Sequence, residues 1–284
     1  MKNFLQRTLT GILFVAVIVA AICLHPLLFA GVFSIVVGFL IHEFYAISKY
    51  DGLIWQRWLG IASGMYLFFS SCLFAGNLVG KEIYMPYILL MVVLSVSVLY
   101  MRKSNPVNQW GQICFAQLYF AGFLSLLAFI PYMHYSLPVL NPHIQSPDYN
   151  PLPVLMIFIF IWLNDSGAYL IGTWKGKHRL FVRISPLKSW EGFFGGLVVV
   201  VITSSIFSYY NTDMKWYYWL VFGVITVISA TFGDLIESLL KRTYGVKDSG
   251  SILPGHGGVL DRFDSAILAA PCIFIFFKLI NGDF

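Results

Sequence analysis

PLPVLMIFIFIWLNDSGAYLIG, residues 151–172, carries no charged side chain before Asp165. Its apolar residues run continuously rather than alternating, the mark of a helix and not of a membrane-barrel strand. Crossing the hydrocarbon core takes about 20 such residues, so the segment reads as a membrane span. Asn164-Asp165-Ser166-Gly167 interrupts it from within. A carboxylate in a spanning helix is costly and generally faces a cavity or a polar partner, which makes it a functional marker.

The pattern repeats outward along the chain. Of 284 residues, 58% are hydrophobic and 11% charged, more apolar surface than a water-soluble domain can hide. Nine stretches are long enough to cross a bilayer: 8–24, 27–47, 59–80, 84–101, 111–133, 152–171, 193–210, 216–237 and 265–280. The expected architecture is all-α, a polytopic integral membrane domain over residues 1–284 with about nine transmembrane helices. The first run follows Lys2 and Arg7 in the manner of a signal peptide. Cys23-Leu24-His25-Pro26 is a poor small-residue cleavage site, however, so a retained helix is expected, with a signal sequence as the alternative.

Bases set the orientation. With a cytoplasmic N-terminus, fifteen of the eighteen Lys and Arg residues fall on the cytoplasmic side and only Lys81, Lys215 and Lys278 outside. The expected location is therefore the cell's inner membrane, multi-pass, with the polar motifs on the cytoplasmic face. The net charge of +5 reflects this topology, and no nucleic-acid partner is indicated. Cys23, Cys72, Cys114 and Cys272 all lie within spans and form no CxxC pair, which argues against a disulfide framework or a zinc site.

Eight of the thirteen acids lie between residues 165 and 264, and the orientation rule does not explain acids. The chain thus divides near residue 160 into a part that is mainly membrane scaffold (1–160) and a catalytic half (161–284). In the eighth span Asp234, Glu237, Ser238 and Lys241 stand at i, i+3, i+4 and i+7, on one helix face. Either they hold two helices together or they face a functional cavity. The following loop, with Lys247-Asp248 and Pro254-Gly255-His256-Gly257-Gly258, places glycines among Lys241, Arg242, Lys247 and Arg262. Such turns can converge backbone N–H groups on an anion, although many glycine-rich turns are only turns. No Walker loop or GxGxxG is present. Asp261 and Asp264 open the ninth span as N-terminal caps or as oxygen ligands for a hard cation such as Mg²⁺. Ser185-Pro186-Leu187-Lys188-Ser189-Trp190-Glu191-Gly192 adds a base and an acid after the sixth span. His42-Glu43, at the end of the second span, reads as an interfacial pair or as a rim contact for a polar ligand.

Residues 238–264, with Ser238-Leu239-Leu240-Lys241-Arg242, Lys247-Asp248 and His256-Gly257-Gly258-Val259-Leu260-Asp261-Arg262-Phe263-Asp264, resemble the signature of the phosphatidate cytidylyltransferases, or CDP-diacylglycerol synthases. Asn164–Tyr169, Ser185–Gly192 and Gly233–Ser238 add to the resemblance, which covers roughly the last 120 residues. It implies that CTP and phosphatidic acid give CDP-diacylglycerol and pyrophosphate. It also implies a homodimer in the bilayer and Mg²⁺ dependence, and leaves open whether a second cation joins. On this reading Asp234 and Asp261 are the leading metal ligands, with Asp248 and Asp264 as second choices. Lys241, Arg242, Lys247 and Arg262 hold phosphate, Gly257 and Gly258 present N–H groups, and His256 donates a proton to pyrophosphate or steadies the turn. Asn164, Asp165, Ser185, Lys188 and Glu191 line the other wall, with Ser238 on the substrate side. The competing readings are a CTP-dependent lipid kinase acting on a polyprenol-type alcohol and a cation-coupled transporter.

Overall fold

A computed structural model describes residues 2–100, 105–133, 149–211, 214–250, 252 and 257–281. The described residues form nine apolar helices in chain order: α1 (Lys2–Leu24), α2 (Pro26–Ile47), α3 (Ile54–Ala75), α4 (Lys81–Tyr100), α5 (Pro106–Tyr132), α6 (Leu152–Lys175), α7 (Trp190–Tyr210), α8 (Trp216–Thr243) and α9 (Leu260–Asn281). Eight are long and apolar enough to cross a membrane, while the apolar part of α1, Thr8–Leu24, is shorter. The protein is an all-α polytopic membrane protein.

Three features depart from the hydropathy reading. α8 runs to Thr243, several residues past the apolar stretch, because its last turns keep an apolar side while the acids and Lys241 share the other. Between α6 and α7 the chain forms a small antiparallel hairpin, β1 (Arg179–Phe181) and β2 (Ser185–Ser189). α5 is not uniform either: Ala116–Gly122 widens into a π-helical segment.

The core is aromatic, and its centre fixes the start of α9. Phe263 is fully buried. Phe14 of α1, Phe33 of α2 and Phe158 of α6 all meet it edge-on, with ring centroids 5.9, 6.0 and 6.0 Å away. Such pairs add about 0.5–1.5 kcal/mol each beyond area burial. Phe263 lies between Arg262 and Asp264, so packing from three helices sets where those two charges point.

Candidate active site

α8 and α9 bring the acids together. At Gly233 the helices touch so closely that a Cβ would lie 2.5 Å from the Asp264 carbonyl oxygen. Glycine is therefore required there, and the next residue, Asp234, is drawn against α9. Asp234, Glu237 and Asp264 each offer an oxygen within 4.8 Å of the others. Two oxygens on one Mg²⁺, each at about 2.1 Å, are separated by at most about 4 Å, so the set fits a hard divalent ion after small side-chain adjustments.

Bases and hydroxyls surround these acids. Lys188 of β2 donates to Asp234 Oδ2, and Ser238 Oγ donates to Asp234 Oδ1 at 3.2 Å. Lys241 Nζ lies 2.7 Å from Glu237 Oε2, without the alignment of a hydrogen bond. It also donates to Asp261 Oδ1 at 2.7 Å. Asp261 Oδ2 in turn accepts the Gly258 N–H at 2.9 Å, the Ser249 N–H at 3.2 Å and the Ser249 hydroxyl at 3.0 Å. The protein itself thus supplies donors to both Asp261 oxygens, and the Gly258 N–H points at Asp261.

Two cavities meet at this cluster. One, of about 580 Å³, lies between the hairpin and α6–α8, and its wall includes Asn164, Asp165, Arg179, Lys188 and Asp234. The other, of about 300 Å³, lies between α1, α6, α8 and α9, and its wall includes Phe14, Asp165, Asp234, Asp261, Arg262 and Asp264. Asp165 and Asp234 border both. Asn164 Oδ1 is buried without a hydrogen-bond partner.

The expected residues are thus sorted by place. Asp234 and Asp261, named together from the sequence, open onto one cavity. Asn164, Asp165, Lys188, Arg262 and Asp264 join them on the two cavity walls. Glu191 instead closes the base of the hairpin, accepting the His178 N–H at 3.1 Å and lying 2.6 Å from His178 Nδ1. Ser185 pairs with Phe181 at the hairpin's other end. Arg242, Lys247 and Asp248 are exposed near the α8 terminus, away from both cavity walls. Gly257 takes the left-handed conformation, φ +81°, in the turn before α9. His256 lies outside the described residues. Arg179 was not expected; a base in a short loop carries no signal of its own. Glu237 entered the reading only as part of a helix face, although its i+3 spacing from Asp234 pointed to the cluster.

A model of the cytidylyltransferase family matches residues 5–280. The chain belongs to that family. Within it the chain is similar to the phosphatidate cytidylyltransferases of Bacillus subtilis (31% identical over 289 residues, 99% of this chain and 100% of that protein) and Haemophilus influenzae (31% over 288 residues, 97% and 99%). A stronger but shorter match, 48% over 122 residues, is to the phosphatidate cytidylyltransferase of Staphylococcus aureus strain COL; it covers 42% of this chain and 46% of that protein.

Proposed function

We propose that this cytidylyltransferase joins CTP to phosphatidate, giving CDP-diacylglycerol and pyrophosphate. The observation that carries the reading is the shared wall: Asp165 and Asp234 border both cavities, one with Arg179 and Lys188 and the other with Arg262, as a reaction between two phosphorylated substrates needs. The larger cavity, with Arg179 and Lys188, takes the nucleotide. The smaller, with Arg262 and the apolar Phe14 beside it, takes the lipid phosphate.

A phosphomonoester has a second pKa of about 6, so the phosphatidate oxygen is already an anion near neutral pH and needs no strong general base. The obstacle is repulsion between two polyanions. Lys188 and Arg179 hold the triphosphate, Arg262 holds the incoming phosphate, and the helix ends fix their separation. Asp234, Glu237 and Asp264 would hold Mg²⁺, with Asp261 behind them steadying Lys241 and the turn. When bound, the cation supplies further neutralisation of phosphate charge. The site belongs on the cytoplasmic face of the inner membrane, where CTP is available, and the bias of bases toward that end supports this placement. The homodimer is an inference from family resemblance.

Purified protein given phosphatidate, Mg²⁺ and CTP labelled at the α- or γ-phosphate tests the reading. Label from the α position enters the lipid fraction. Transfer of γ label instead would make the protein a lipid kinase.

A further inference from the structure

Glu43 sits near the C-terminal end of α2, in the half of the chain farthest in sequence from the clustered acids, and it is 2% exposed. A buried carboxylate is tolerated only when donors surround it. Glu43 Oε1 accepts the Val259 N–H at 2.8 Å; Oε2 accepts the Leu260 N–H at 2.8 Å and lies 2.9 Å from the Ser249 hydroxyl. α9 begins at Leu260, so these amides are among the N–H groups a helix start leaves without intrahelical partners. Glu43 caps α9 from another helix.

The same hydroxyl of Ser249 lies 3.0 Å from Asp261 Oδ2. One proton serves two carboxylates, so Glu43 and Asp261 are linked through it. The turn passes directly over Glu43: a Cβ at Gly258 would collide with Glu43 Oε2 and Ser249 Oγ. Phe263 is locked on the other side by three aromatic rings. The first turn of α9 is therefore gripped at both ends, and Asp264 lies on it.

We propose that Glu43 is a positioning residue of the active site, holding the first turn of α9 so that Asp261 and Asp264 stand in register with Asp234 and Glu237. The proposal rests on the reading of Asp234, Glu237 and Asp264 as a cation-holding set. A carboxylate is needed because both of its oxygens face donors. A glutamine offers one oxygen and turns its NH₂ toward a second N–H. Residues that orient metal ligands typically change affinity by about 10–100-fold when altered, and the same range is expected here.

The test is Mn²⁺ binding by electron paramagnetic resonance to the full chain in detergent, without substrates, beside the melting temperature and the kinetics. Glu43→Gln is expected to bind Mn²⁺ about 10–100-fold more weakly, to need more Mg²⁺ for turnover, and to lose kcat with little change in KM for CTP. Glu43→Asp, which keeps the charge but shortens the reach, should fall between it and the parent and decides the matter if the glutamine variant does not fold. Glu82→Gln, on α4, serves as the unaffected control. A lowered melting temperature with Mn²⁺ affinity and Mg²⁺ requirement unchanged would overturn the positioning role alone. Failure of the parent protein to bind Mn²⁺ would overturn the cation-holding reading and, with it, this one.

Discussion

Lys241 of α8 donates a 2.7 Å hydrogen bond to Asp261 of α9, and the same ammonium lies 2.7 Å from Glu237. One cation thus joins two helices and faces two acids, with its side chain 14% exposed. Removing one member of a buried ionic group leaves the others uncompensated and costs on the order of 3–5 kcal/mol. Lys241→Met should therefore lower the melting temperature and abolish turnover. Adding Glu237→Gln should restore part of the stability and none of the activity, which thermal unfolding and a product assay read separately.

Asp234 and Asp264 reach the same point from neighbouring helices. Asp234→Asn and Asp264→Asn should each leave a folded, monodisperse protein while turnover falls at least about 10²–10³-fold, the scale for loss of one preorganised electrostatic group. Near-normal activity in either variant at ordinary Mg²⁺ would remove that residue from the cation-holding set.

The two cavities predict two kinds of kinetic defect. Lys188→Ala should raise KM for CTP more than KM for phosphatidate. Phe14→Trp, which narrows the smaller cavity, should do the reverse. Measuring both constants for both variants checks which substrate occupies which side, and a swapped pattern would exchange the assignment.

Phe263 should matter for stability first. Truncating a fully buried Phe to Ala costs about 3–5 kcal/mol, whereas Phe263→Leu keeps most of the volume and should cost much less. Because Arg262 and Asp264 flank it, the alanine variant should also lose activity at temperatures where it remains folded. Lys81→Ala and Lys215→Ala, at the opposite end of the bundle, should leave turnover unchanged.

Long apolar runs made the spans legible, since nothing but a membrane segment explains residues 151–163. The four-residue polar face of α8 was legible from its spacing, and the structure brings Asp234 and Glu237 together with Asp264 as that spacing allows. The hairpin at Arg179–Ser189 was not legible: its strands are short, charged and without alternation. Glu43 was hardest to read. Its partners are backbone amides and one hydroxyl roughly two hundred residues away, and a donor without a side chain leaves no trace in composition or motif. The glycines beside it were noticed, but as an anion nest; the anions nearest them are the protein's own carboxylates.

The wiring of Glu43 also constrains biosynthesis. The ribosome finishes α2 long before residues 249–260 exist, so during translation this acid has none of its final donors. Until they arrive, burying this carboxylate is uncompensated, so the contact between α2 and the start of α9 forms late. Docking of the second helix against the ninth thus waits for the last part of the chain to be made.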